Sequence, residues 1–505
     1  MWRLRWQLPL RSHQPVIFTV AMMRKGLERK VSFRSFIISG KAEKVASLFL
    51  FALLCVSVQR LLSRSLWFDE ALTVLNFALL ESPAKIYHSY VIPNNQILHS
   101  IFLHWWIKIF SFDFLRLFPL LCGFCTLAFL WQLRRKSSNM ASFYVLAVLA
   151  MSFPFALYAT ALRGYMLSAA AVAGGAWMVT RYLENGKVRY LAGWFGFSLL
   201  GVGTMPGTLA GLAGAMLFGM GYCRWNMFRQ WRWYLAGIAP LVAFMIFYLP
   251  IKDELLRCAA LGEGWKSGTS MLLALMMGVV FTFLPALIPA AMGHLRAHRL
   301  TPALFHLAIW LLPVPAAYLF KAAPFPRVFF PLFPVFALLL ANGVRDFLAI
   351  LRHKRGARYA FSALQVMCAC AVLWSGRCHS EPFRQRAGAL HPFPSGQDDF
   401  IDCHFVKSSF SPRFTAQKFK EYFPDAAVVY VTFESDPWAL IYAFMENGVN
   451  THIIFDGPAG KYPGVPAVVI THFNEDKRTV ETCFNCRYTP VFSSDNHTFM
   501  VVDNE

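Results

Sequence analysis

The sequence predicts a polytopic α-helical membrane protein of about eleven transmembrane helices, with a small C-terminal extracytoplasmic α/β domain. Three observations predict it. The 505 residues are 57% hydrophobic and 16% aromatic but only 15% charged, with a mean hydropathy of +0.45, far too apolar for an ordinary soluble chain. Apolar runs of membrane-crossing length succeed one another up to about residue 380, with short charged loops between them. Beyond residue 377 acids become common and the apolar runs shrink to strand length.

Taken in order, the runs place spans near 45–63, 114–133, 141–159, 164–181, 189–205, 208–223, 232–250, 270–292, 303–320, 325–343 and 359–376. Each is close to the length of about 20 residues that crosses about 30 Å of hydrocarbon. The basic segments fall at alternate ends of successive spans: the tail from Arg3 to Arg34, Arg134 to Lys136, Arg181 to Arg189, Arg224 to Arg232, Arg296 to Arg299 and Arg345 to Arg358. All six therefore share one side, which the positive-inside rule makes the cytoplasm. Residues 1–44 read as a basic cytoplasmic tail, 45–376 as the transmembrane domain and 64–113 as its first outer loop. The tail lacks a small-residue cleavage site, so the first span reads as an uncleaved signal anchor. The net charge of +21 follows from this topology, and no nucleic-acid partner is expected.

Residues 377–505 read as the outer domain. AAVVYVTF (426–433), THIIF (451–455) and PAVVITHF (466–473) have strand length, and PWALIYAFMENG between the first two has helical periodicity and a glycine stop, a β-α-β pattern. Cys378, Cys403, Cys483 and Cys486 would form two disulfides in an oxidising compartment, in one of three pairings. Cys483-Phe-Asn-Cys486 is alternatively half a zinc site or a redox pair, but no histidine ligand stands nearby. Asp398, Asp399 and Asp402 read as solvated surface, so no metal and no cofactor is expected.

Acids are scarce before residue 379, which singles out Asp69 and Glu70 in SLWFDEALT, just past the first span. Adjacent residues on a helix project about 100° apart, so one acid can point into a site as base while the other orients or supports it. Arg163 in LYATALRGYML and Arg327 in KAAPFPRVFFPLFP break the positive-inside pattern on the same outer face. A guanidinium at the bilayer centre would cost about 3 kcal/mol, so both belong at the interface or in a wet cavity. A base and fixed guanidinium groups on one face suit transfer from a phosphate ester, because the fork matches phosphate oxygens and stabilises the charge that appears on departure. Lys321 is a less specific helper. Asn95 and His99, four residues apart in the same loop, read either as substrate-binding groups on a shared helical face or as a satisfied structural pair.

Nucleotide sugars and ATP are not available on that side, and no GxxxxGK[ST] phosphate loop occurs. A donor carried in the membrane, a polyprenyl-phosphate-linked sugar, meets the requirement, with a protein, a lipid or a glycan as acceptor.

The arrangement resembles the GT-C superfamily of membrane glycosyltransferases, and within it the family 39 type, which contains protein O-mannosyltransferases and lipid A aminoarabinose transferases. The matching residues are Trp67-Phe68-Asp69-Glu70-Ala71, the PNNQILHS segment of the same loop, Ala161-Leu162-Arg163-Gly164-Tyr165, and Pro324-Phe325-Pro326-Arg327 entering an apolar PLFP helix. The resemblance implies an inverting transferase in which Asp69 deprotonates or orients an acceptor hydroxyl. It also implies that Arg163, with Tyr165 beside it and Arg327 joining, contacts the donor phosphate. Family members carry a His/Lys-Pro-Pro-Leu type segment where this chain has Asn94 to Leu98. The implied location is an integral cell membrane, the bacterial inner membrane, with the N-terminus cytoplasmic. A transporter or flippase of lipid-linked saccharides is the competing reading, but it would place acids or broken helices at mid-membrane, and the clear spans carry essentially no acids.

Overall fold

Among the described residues, the apolar runs fold mostly as helices. The computed structural model describes residues 40–89, 95–133, 139–223, 231–261, 268–296, 307–315, 326–351, 411–432, 436–455, 466–472, 477–494 and 497–503. Residues 1–39 of the basic tail, the span 359–376, Cys378, Cys403, Asp398 to Asp402, Asn94 and Lys321 lie outside the described residues. The chain divides into two compact units, residues 1–48 and 49–505. Of the first, residues 40–48 are described and are helical. All that follows concerns the second, apart from the start of the first helix.

In chain order the helices are α1 (Gly40–Leu62), α2 (Phe68–Leu72), α3 (Pro83–Tyr87), α4 (Ile97–Phe110), α5 (Leu117–Gln132), α6 (Asn139–Met151), α7 (Phe153–Tyr158), α8 (Tyr165–Asn185), α9 (Val188–Thr204), α10 (Thr208–Cys223), α11 (Arg232–Tyr248), α12 (Lys252–Leu261), α13 (Gly268–Arg296) and α14 (Phe333–Leu351). Among the described residues, three stretches are long and apolar enough to cross a membrane: Phe112–Gln132, Arg232–Arg257 and Arg327–Leu351. The run expected as one span over 141–159 is instead two helices, α6 and α7, broken at Ser152. Its extended φ −70°, ψ 140° comes two residues before Pro154, which lacks the amide that would continue the ladder. The run expected over 325–343 likewise begins as a proline-bearing 3-10 stretch, Pro326–Leu332, before α14 starts.

Helix α8 is the hub, packing against α5, α9, α10, α14 and the 3-10 stretch. Its SAAAVAGGA sequence makes that possible, since small side chains let neighbouring backbones approach closely. A Cβ on Gly175 would sit 2.7 Å from the ring of Trp194 on α9, so only glycine admits that indole. By contrast α11 presents Leu235, Ile238, Leu241, Met245 and Ile246 as an exposed apolar stripe, the surface a helix shows to lipid rather than to water.

The C-terminal part forms a five-stranded sheet in the order β2-β1-β3-β5-β4, from β1 (Val428–Val431), β2 (His452–Ile454), β3 (Val468–His472), β4 (Tyr488–Ser493) and β5 (His497–Val502). The three strands expected from the sequence are present, and β1 runs parallel to both β2 and β3, as the β-α-β pattern requires. The antiparallel β4-β5 hairpin was not anticipated. Helices α15 (Pro412–Tyr422) and α16 (Pro437–Glu446) cover one face through Phe419, Leu440 and Phe444; α17 (Lys477–Phe484) covers the other through Val480 and Phe484. Cys483 and Cys486 are both free thiols. This sheet domain docks on the turn around α2: Tyr442 and Trp438 of α16 pack with Leu66, Ala71, Val74 and Leu162.

Candidate active site

SLWFDEALT folds as a helix start. Trp67 is extended (φ −95°, ψ 173°), α2 begins at Phe68, and the amide of Trp67 donates back to Glu70 Oε2 at 3.3 Å, which places both acids in the first turn where the helix dipole favours them. Their side chains then part company.

Glu70 is fully buried and turned into the protein. Arg116, at the entrance to α5, donates from Nη1 to its Oε1 at 2.9 Å and from Nη2 to its Oε2 at 3.1 Å. The Leu162 amide donates to Oε1 at 2.9 Å, and Arg64 Nη2 lies 3.7 Å from Oε2. Burial pushes this carboxyl's pKa up, but Arg116 and Arg64 outweigh it and hold the pKa below its usual value. Arg116 also donates to the carbonyls of Thr160, Arg64 and Ser65 at 2.7, 3.0 and 3.1 Å, so the Glu70–Arg116 pair ties α2, the segment before it and the 160–162 turn into one block.

Asp69 faces the other way and stays one-tenth exposed. Its Oδ2 lies 3.4 Å from Arg327 Nη2 and 3.9 Å from Arg163 Nη2. Arg163 is held from below: its Nη1 donates to Thr73 Oγ1 at 3.0 Å and to the Asp69 carbonyl at 3.4 Å, while Thr73 Oγ1 donates to that carbonyl at 2.7 Å. Arg327 Nε donates to the Tyr165 hydroxyl at 3.1 Å, and its guanidinium lies 5.7 Å from the centre of the Trp67 ring. Three residues separated by up to 258 positions thus meet at one carboxylate. Among these three side chains the two guanidinium groups exceed the one carboxylate by a single positive charge.

The turn that carries Arg163 depends on Gly164. Its amide donates to Gln96 Oε1, and a Cβ there would fall 2.4 Å from Thr204 Cγ2 and 3.2 Å from the Cβ of His99. Any larger residue would push the turn off α4 and α9, and Arg163 with it.

The remaining candidates separate. Asn95 precedes α4 rather than lying on it, so the shared helical face with His99 is corrected: Gln96 caps the helix, and Asn95 is spent on its own loop. Its Nδ2 donates to the carbonyls of Ile86 and Ser89 at 3.3 and 3.1 Å, and its Oδ1 accepts from Ser100 at 3.1 Å. His99 is buried beside Phe118, and neither ring nitrogen has a hydrogen-bond partner among the described residues. Burial, and then the charge of Arg163, lower its pKa to about 3, so the ring is neutral. Tyr165 belongs to the cluster through Arg327. Sequence reading missed Arg116, Thr73 and Gln96. Arg116 carried the same signal as Arg163, a lone arginine at the end of an apolar run, whereas Thr73 and Gln96 have no signal before the loop is folded.

A helical bundle in which one acid and two arginines meet beside a small α/β domain is a fold that this chain shares with solved structures. Among the solved structures it resembles is ArnT from Cupriavidus metallidurans: the crystal structures in the apo state and bound to undecaprenyl phosphate superpose with TM-scores of 0.57 and 0.55. Each covers 90% of this chain and 97% of that chain, at 13% sequence identity. The likeness is therefore one of fold. No protein-family model matches the sequence, and no curated protein does.

Proposed function

We propose that this chain is an inverting glycosyltransferase of the family 39 type, moving a sugar from a polyprenyl-phosphate-linked donor to an acceptor hydroxyl on the extracytoplasmic face of a bacterial inner membrane. The single observation that carries the reading is Asp69 held between Arg163 and Arg327 with one positive charge in excess. The solved ArnT bound to undecaprenyl phosphate supports the donor class.

In this reading Asp69 accepts the proton of the acceptor hydroxyl as its oxygen attacks the anomeric carbon. The bond from that carbon to the donor phosphate breaks on the opposite face, inverting the centre, and its electron pair leaves on the phosphate oxygen. Arg163 and Arg327 neutralise the charge appearing there, with Tyr165 and Thr73 holding the two guanidinium groups in place. Glu70 and Arg116 do no chemistry and fix the turn that carries Asp69. The domain division follows: 1–44 cytoplasmic, 45–376 crossing the membrane about eleven times, and 377–505 outside.

The test is mass spectrometry of glycans and lipids from cells with the wild-type chain and with Asp69→Asn. Loss of one sugar from one acceptor supports the reading and names both substrates; identical profiles would remove it.

A further inference from the structure

A third carboxylate approaches the centre from the other domain. Asp436 precedes α16 in a left-handed backbone conformation, φ 59°, ψ 65°, one of three non-glycine residues with positive φ among those described. Aspartate and asparagine tolerate this region better than other side chains, and a residue held there needs surroundings that over-determine it. Those surroundings are two helix starts. The Asp436 carboxylate accepts from the Ala439 amide of its own helix at 3.4 Å and from the amide of Phe68, the first residue of α2. Phe68 directly precedes Asp69, and Trp438 and Tyr442, on the same helix as Asp436, pack against Leu66, Ala71 and Val74 around that turn.

We propose that Asp436 is a positioning residue of the Asp69 centre: a carboxylate supplied by the C-terminal domain that holds the first turn of α2 and is electrostatically coupled to Asp69. What the coupled centre binds rests on the glycosyltransferase reading; the coupling itself does not. Loss of contact with water, and then the negative charge of Asp69, raise the Asp436 pKa to about 7, so the group changes charge near neutrality. Among the described residues, the charged groups of the neighbouring elements are committed elsewhere or oppose Asp69. Arg163 and Arg327 face Asp69, Glu70 is engaged by Arg116, and Tyr442 on the same helix is raised to about 12 and stays neutral.

The sign is fixed. A folded-state pKa near 7 against an ordinary 3.8 means that the folded protein holds a proton the unfolded chain releases. Stability from this group is full below about pH 4 and is lost as pH rises through 7. Asp436→Asn keeps one acceptor oxygen and the tolerated backbone but cannot titrate. The experiment is thermal unfolding of the full chain in detergent between pH 4 and 8.5 for wild type, Asp436→Asn, Asp69→Asn and the double variant.

Wild type should lose stability relative to Asp436→Asn across that window, by up to about tenfold in the folding equilibrium per pH unit. In the Asp69→Asn background the loss should shrink and shift to lower pH. Curves for wild type and Asp436→Asn that stay parallel, or a loss unchanged by Asp69→Asn, overturn the proposal. Undecaprenyl phosphate binding to the wild-type protein is read separately: its failure would count against the donor assignment, while the unfolding series still decides the coupling.

Discussion

Glu70 and Arg116, 46 residues apart in sequence, form a two-point buried ion pair with nitrogen to oxygen distances of 2.9 and 3.1 Å, one residue away from the carboxylate that faces Arg163 and Arg327. Removing one partner of such a pair leaves the other charge buried and uncompensated, which costs about 3–5 kcal/mol. Glu70→Gln is therefore expected to lower the unfolding temperature more than Asp69→Asn, whose carboxylate sits farther from its arginines and keeps some exposure to water. Equal effects on thermal unfolding would contradict the division of roles. Because the Glu70 pKa is lowered in the fold, its stabilisation is present above about 4.5 and is lost as pH falls below that.

Asp69→Asn removes the proposed base while preserving shape. Transfer from a lipid-linked donor should fall by about 10²–10⁴-fold, in kcat rather than in donor affinity. A radiolabelled-sugar transfer assay checks it, and near-normal turnover would exclude Asp69 as the base.

The two arginines should read out on the phosphate. Arg327→Lys keeps the charge but loses the fork and the Nε bond to Tyr165, so affinity for undecaprenyl phosphate should drop about tenfold or more. Tyr165→Phe, which only frees Arg327 from one hydrogen bond, should cost about 0.5–1.5 kcal/mol of binding. Calorimetric or fluorescence titration would rank them, and a larger effect from Tyr165→Phe would reverse the argument.

Gly164→Ala tests the turn. Its Cβ would sit 2.4 Å from Thr204 Cγ2, so the turn must shift, at about 1–3 kcal/mol of stability. Phosphate binding should weaken with it through displaced Arg163. Unchanged melting and binding would show the turn to be free to move.

His99 is a buried neutral imidazole whose pKa is lowered to about 3. A lowered histidine pKa means stability that is full above 6.5 and falls as pH drops, by up to about 1.4 kcal/mol per unit. His99→Leu should flatten the wild-type loss of unfolding temperature between pH 7 and 5. A loss of the same slope in the variant would assign it to other groups.

Much of this fold was legible because it is written locally. Membrane-length apolar runs and the strand-length apolar stretches around PWALIYAFMENG act within a few residues of themselves. Asp69, Arg163 and Arg327 stood out for a related reason: ionised groups are scarce where desolvation is costly, so each one signals a partner. The break of 141–159 into two helices was less visible, because apolar composition continues straight through Ser152.

The sequence by itself determined the apolar helices, the α/β domain and a short roster of charged residues, since hydrophobic periodicity and helix caps are properties of neighbouring residues. Only the tertiary structure decided which acid meets which arginine. Glu70 turns to Arg116 and Asp69 to Arg163 and Arg327, and Asp436 arrives from a domain more than 360 residues downstream. Coulombic and hydrogen-bond energies depend on distance in space, to within an ångström, and chain order carries no such distance.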